Sequence, residues 1–228
     1  ALVFADDPEP QPETERTYVT LDVGAQPVYI VEAINEGDSY SVSESASLTI
    51  TDVHLTPRDG NIGVILRAQI EGPVEDGALR YADAPLRLGR DLTIATDRYE
   101  VRGQIRSVGE NDALERGETT VVLRDTINAE AAAGIASGDI VQLAGRQVAT
   151  IQNVTQFATN NPDRRRVFLT ATLQTHRRNG DVRFGGTTIR RGQSVTLSTA
   201  GYRINGRIER VGTDLQLGSA STRTVTLR

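Results

Sequence analysis

Few residues in this chain have the types and spacing to do chemistry. His54 and His176 are its two histidines. Each stands at the end of an apolar alternating run, His54 before Leu55 and His176 before Arg177-Arg178. Neither sits in a pattern that would make it a base or a ligand, so both read as surface or partly packed residues. Cysteine is absent, which removes thiolate nucleophiles, disulfides and thiolate metal sites. No Gly-x-Ser-x-Gly elbow, phosphate loop, His-Glu-x-x-His or dinucleotide fingerprint occurs. Acidic runs at Asp6-Asp7, Glu71–Asp76 and Glu110–Glu118 lack the ligand spacing of a calcium loop and read as solvated loops. The expectation is a protein that is not an enzyme and holds no cofactor and no metal.

Two features remain that could recognise a partner. Arg164-Arg165-Arg166, His176-Arg177-Arg178 and Arg190-Arg191 all fall in the second half. If they lie near one another they form a patch for an anionic glycan or an acidic surface protein. Otherwise they pair with local acids on a solvated face. Asn153-Val154-Thr155 is a single N-glycosylation sequon, of a kind that chance also supplies.

Composition narrows the setting. All 25 basic residues are Arg. Arg is more weakly hydrated than Lys and pairs bidentately, and a chain without Lys points to a GC-rich genome and a high-salt habitat. The net charge of −5 argues against nucleic acid as the main partner. No stretch approaches the ~20 apolar residues of a membrane span. Ala1-Leu2-Val3-Phe4 is apolar and stops at Asp6-Asp7, so it reads as the tail of a removed signal or membrane anchor. Residues 1–17 form an arm rich in Pro and Glu, extended because Pro removes donors and the acids repel.

The elements that must position these residues occur twice. Val19-Thr-Leu-Asp-Val23 leads through Pro27–Ile34 to Glu36-Gly37-Asp38. About 101 residues on, Val121-Val-Leu-Arg-Asp125 leads through Ala129–Ile135 to Ser137-Gly138-Asp139. Val64–Ile70 matches Val167–Leu173, and Gly89–Thr96 with Tyr99–Ile105 matches Gly192–Thr199 with Tyr202–Ile208. One order of features kept in register over five segments is a tandem duplication. The expected fold is mainly β: two copies of a small β-barrel or sandwich module, at 18–118 and 119–228.

Each module reads as a strand, one short helix and four further strands. The helices are expected at 27–35, by apolar spacing, and at 129–136, by alanine content. Hairpins are expected for 48–54 with 62–71, 147–157 with 165–175, 91–96 with 99–108, and 194–199 with 202–211. Gly103 and Gly206 stand mid-strand at matching places and mark a bulge or sharp bend.

The opening strand occurs a third time. Thr224-Val-Thr-Leu-Arg228 resembles Thr120-Val-Val-Leu-Arg124 and Tyr18-Val-Thr-Leu-Asp22. Either each module uses its own first strand and 224–228 is surplus, or each uses the next and 18–23 is surplus. The extra copy could also serve as an ordinary edge strand. A surplus strand, or the Ala1–Phe4 arm, could instead add to a neighbouring subunit, since strand addition satisfies an open edge. The residues that would carry such assembly are Ala1, Leu2, Val3, Phe4, Val19, Leu21, Val23, Val225 and Leu227.

The segments Thr49–Pro57, Leu86–Arg90, Asn161–Val167 and Phe184–Gln193 resemble an uncharacterised haloarchaeal family, the group of domain of unknown function 4330. The resemblance spans 18–228. It implies an N-terminal membrane segment before an exterior domain, and it implies no activity and no catalytic residues. Together these readings lead to an extracellular or cell-surface structural subunit that assembles with itself, head to tail, into a pilus-like filament. The alternative is a membrane-anchored monomeric surface domain that binds a glycan or a protein.

Overall fold

A computed structural model describes residues 13–109 and 114–212. The first module runs β1 (Thr14–Gln26), α1 (Val28–Ala33), β2 (Ser39–Ser43), β3 (Ala46–Arg58), β4 (Asn61–Glu75), β5 (Ala78–Tyr81), β6 (Ala84–Pro85), β7 (Asp91–Ala95) and β8 (Glu100–Gly109). The second repeats that order as β9 (Glu115–Asn128), α2 (Ala129–Ala133), β10 (Ile140–Leu143), β11 (Arg146–Ala158), β12 (Arg164–Arg178), β13 (Asp181–Phe184), β14 (Thr187–Thr188), β15 (Ser194–Ser198) and β16 (Arg203–Val211). The protein is mainly β and built of two tandem modules.

The sheets share one topology. Their strand orders are β2-β3-β4-β1-β8-β7 and β10-β11-β12-β9-β16-β15, with the hairpins β5–β6 and β13–β14 branching from β4 and β12. One sheet curls nearly into a barrel and the other into a half-barrel. The period-2 apolar pattern sets the inner face: Val19, Leu21 and Val23 of β1 point inward with Val64, Leu66, Ala68 and Ile70 of β4. Asp59 and Gly60 both have positive φ, 49° and 81°, as a two-residue hairpin turn between β3 and β4 requires.

The duplication extends to single hydrogen bonds. Gly37 N donates to Ile50 O at 2.7 Å, and Gly138 N to Ile151 O at 2.8 Å. Gly89 N donates to Ile105 O and Gly192 N to Ile208 O, both at 2.8 Å. Arg106 bulges out of the β1–β8 ladder, and Glu209 occupies the same place in β9–β16. Gly103 and Gly206, expected to mark a bulge or a sharp bend, are therefore not the bulged residues. These glycines serve close approach instead: a Cβ there would lie 2.9 Å from Leu21 Cβ and 2.7 Å from Leu123 Cβ. Their absence of side chain lets β8 and β16 press onto the opening strands as the sheets curl.

Some boundaries differ from expectation. The opening strands begin earlier, at Thr14 and Glu115, because long antiparallel partners extend their ladders. Three strands per module were not expected: β2, β5 and β6, with β10, β13 and β14 as counterparts. All are five residues long or shorter. The buried apolar residues of both modules form one contiguous cluster, so the modules share a core.

Candidate assembly interface

Inside each module, a tyrosine and an aspartate join two ends of the sheet. Tyr99 Oη donates to Asp38 Oδ2 at 2.7 Å, and Tyr202 Oη to Asp139 Oδ2 at 2.8 Å. The same carboxylates accept from the backbone N–H of Asn35 (2.8 Å) and Ala136 (2.9 Å), where the chain leaves each helix. Burial, then the bond to the carboxylate, pushes both tyrosines well above the usual phenol range. These phenols stay protonated and donate; the pair is a clamp.

The seam between modules is built differently. The outward face of β3 and β4 carries Asp52, His54, Thr56, Gly63, Ile65 and Arg67, and all are buried. Strand β3 lies against β10, β11 and β15 of the second module. The tip of the β13–β14 hairpin reaches His54: Gly185 N donates to His54 Nε2 at 3.2 Å. His176 Nε2 donates to Gly185 O at 3.3 Å, and the two imidazoles meet edge to face with centroids 4.7 Å apart. Asp52 accepts from Leu114 N at 2.8 Å and from the Arg116 guanidinium, which also donates to Val53 O at 3.2 Å. A Cβ on Gly185 would fall 2.3 Å from Thr56 Oγ1, so only glycine fits this contact.

Electrostatics keeps this seam neutral at its centre. Burial, and then repulsion from His176, lowers the His54 pKa from 6.5 to about 3. Burial is also the main cause that lowers His176; Arg178 and Arg183 add to it against the carbonyls of Gly185 and Arg177. A histidine fixed as an acceptor from a backbone N–H and uncharged at neutral pH is a rivet, not a proton shuttle. Among the described residues no three His, Asp or Glu side chains converge as a metal site would need. Beside the seam, a cleft of about 500 Å³ is lined by Arg67, Arg177, Arg178 and Glu115. Arg67 there bonds Thr20 Oγ1 at 3.0 Å and Gly109 O at 2.9 Å, and Arg177 pairs with Glu115 at 3.4 Å.

The expected site residues are distributed as follows. Val19, Leu21 and Val23 are corrected as donors to a neighbour. Their strand pairs with β4 on one side and β8 on the other, and their side chains are 0%, 0% and 5% exposed in their own core. Withdrawing them would forfeit about 1.5–3 kcal/mol per large side chain as well as two ladders. Each module thus uses its own opening strand. Ala1–Phe4, Val225 and Leu227 lie outside the described residues.

The expected arginine patch is likewise corrected. Arg164, Arg165 and Arg166 start β12, whereas Arg177 and Arg178 end it. A strand rise of about 3.3 Å per residue separates the groups by roughly 40 Å. Arg164 bonds Thr126 O and Arg165 bonds Pro162 O at 2.8 Å, while Arg177 and Arg178 belong to the seam cleft. Asn153 is exposed on β11. The histidines, expected to be surface or partly packed residues, are fully packed, at 6% and 1% exposed. Sequence reasoning missed them as a pair because their common partner, Gly185, lies 131 residues from His54. A signal did exist, since the repeat places Thr155 opposite His54 and Pro73 opposite His176. A residue found in one copy alone marks a role that the fold itself does not need.

No family model matches the chain, and neither the curated proteins nor the solved structures contain a match to it.

Proposed function

We propose that this chain is a non-catalytic structural subunit of the cell surface that assembles with copies of itself, head to tail, into an extracellular filament. One observation carries the reading. Both slots for an opening strand are filled, β1 between β4 and β8 and β9 between β12 and β16. The third copy of that strand, Thr224–Arg228, therefore has no equivalent slot in these two modules. It follows Gly212 at nearly the spacing at which Thr120 follows Gly109. A segment with that sequence can satisfy an open sheet edge of a neighbouring molecule, as strand addition does. Such a contact is heterologous and does not close on itself. The short edge strands β2 and β7 are the sites where a donated strand would add. The resemblance to the haloarchaeal surface family, and an all-Arg basic set, agree with an extracytoplasmic, salt-rich setting.

The test is electron microscopy and sedimentation of the full chain with and without residues 213–228. Filaments or a concentration-dependent oligomer that vanish on removal support the reading. A truncated chain that assembles as well as the full one refutes strand donation.

A second reading has its own observation. Arg164–Arg166 cluster at one end of β12, beside the half-exposed Phe157. That is a surface on which a membrane-anchored monomer would bind an anionic glycan. Glycan arrays with Arg164–Arg166 changed to Ser decide it.

A further inference from the structure

The outer face of the second module's β11 and β12 is the exact counterpart, by ladder register, of the first module's seam face. Both ladders are offset by the same single bulge, after Ile50 and after Ile151. Asn153, Thr155 and Phe157 thus occupy the places of Asp52, His54 and Thr56, and Arg166 and Phe168 those of Gly63 and Ile65. On the first module this face is buried under the second. On the second module Asn153, Phe157 and Arg166 are exposed, with Phe157 at 50% and packed edge to face on Phe168 at 5.7 Å.

The complementary surface is also open. The second module covers the first with its β13–β14 tip, Gly185-Gly186, and the edge strands β10 and β15. The first module has the same parts: a β5–β6 tip at Ala82-Asp83, both exposed, and the edges β2 and β7. The second module's outer face thus repeats one half of the internal contact, and the first module's tip and edges repeat the other half.

We infer that a second copy of this chain seats its first module on the β11–β12 face, repeating between molecules the contact made between modules. This rests on the self-assembly reading above and names its surfaces. The substitutions between repeats are charge-matched for it. Within the chain, Gly63 and Gly185 both close on Thr56, with Gly186 beside it. The corresponding partners between chains are Arg166 with the tip residues Ala82 and Asp83, a cation facing an anion. Within the chain Asp52 pairs with Arg116; between chains the equivalents are Asn153 and Thr14, both neutral. The exposed Phe157 supplies the apolar anchor. The contact is head to tail and propagates at the two-module repeat.

Sedimentation velocity on the full chain over a concentration series, in about 0.1 M salt so that an exposed pair is not screened out, tests it. Phe157→Asp is expected to weaken association tenfold or more. Asp83→Arg and Arg166→Asp should each weaken it by about two- to fivefold, as an exposed ion pair allows, and the two together should restore it. All three positions are exposed, and circular dichroism checks the fold of each variant. Association indifferent to Phe157→Asp, or a double variant weaker than either single, overturns the inference. Association lost on removing 213–228 yet unmoved by these substitutions overturns it while leaving strand donation standing. A wild-type monomer at every concentration overturns both, as does a glycan bound at Phe157 by a chain that stays monomeric.

Discussion

Replacing His54 by Gln isolates the cost of keeping the seam uncharged. Gln Oε1 can accept from Gly185 N–H as His54 Nε2 does, but it does not titrate. In the folded chain His54 binds a proton only near pH 3, whereas unfolded it does so near 6.5. Its folded pKa is depressed, so the unfolded state binds more protons between those values. Stability is then complete above about pH 7.5, falls as the pH drops through 6.5, and stops falling below about 3. Each tenfold difference in proton affinity is about 1.4 kcal/mol, so the full penalty is roughly 5 kcal/mol, of which about 2 kcal/mol is already felt at pH 5.

The assay is urea unfolding of wild type and His54→Gln at several pH values from 5 to 7.5, above the range where most carboxylates titrate. Wild type should lose about 2 kcal/mol more than the variant across that interval. His176, lowered mainly by burial, adds a loss of the same sign that both proteins retain. Parallel pH profiles for the two proteins would refute the claim that His54 is held neutral by the seam.

Two further outcomes are expected within the modules. Gly206→Ala should destabilise by about 1–3 kcal/mol in urea unfolding, because its Cβ would sit 2.7 Å from Leu123 Cβ, an atom fixed to the backbone. Tyr202→Phe should cost about 1–2 kcal/mol by removing the donor to Asp139, and Tyr99→Phe less, since Arg98 also pairs with Asp38; the same unfolding assay ranks the two.

How far the sequence discloses this molecule depends on the range of each interaction. The long hairpins were legible because Val64–Ile70 and Val167–Leu173 place an apolar residue at every second position, and turn residues such as Asp59-Gly60 precede them. Strands β5, β6, β13 and β14 were not, because two to four residues carry no period. The Tyr–Asp clamps were half visible. Tyr99 and Tyr202, and Asp38 and Asp139, recur in register, yet nothing local says that a residue near the module's start meets one near its end. The seam was hidden because His54, Asp52 and Gly185 take their meaning from contacts across the whole chain. The arginine patch failed for a simpler reason: adjacency of clusters in sequence is distance, not proximity, when the segment between them is a single extended strand.

A duplicated fold separates two kinds of constraint that a single domain leaves mixed. Where the copies agree, as at Gly103 and Gly206 or in the Tyr–Asp clamps, the residue serves the module itself. Where they disagree at equivalent, outward-facing positions, the cause lies outside the module. Asp52, His54, Thr56 and Gly63 differ from Asn153, Thr155, Phe157 and Arg166, and the first set is the one that another module covers. A surface freed from any partner would keep no aromatic pair at half exposure without cost, since apolar side chains on an open sheet face invite adventitious pairing. The aromatic and the arginine on the second face are the residues that the proposed contact would engage. In the self-association proposed above, the opposite charge at Asp83, on the hairpin tip homologous to the one that seals the internal seam, selects the chain's own leading module as the occupant.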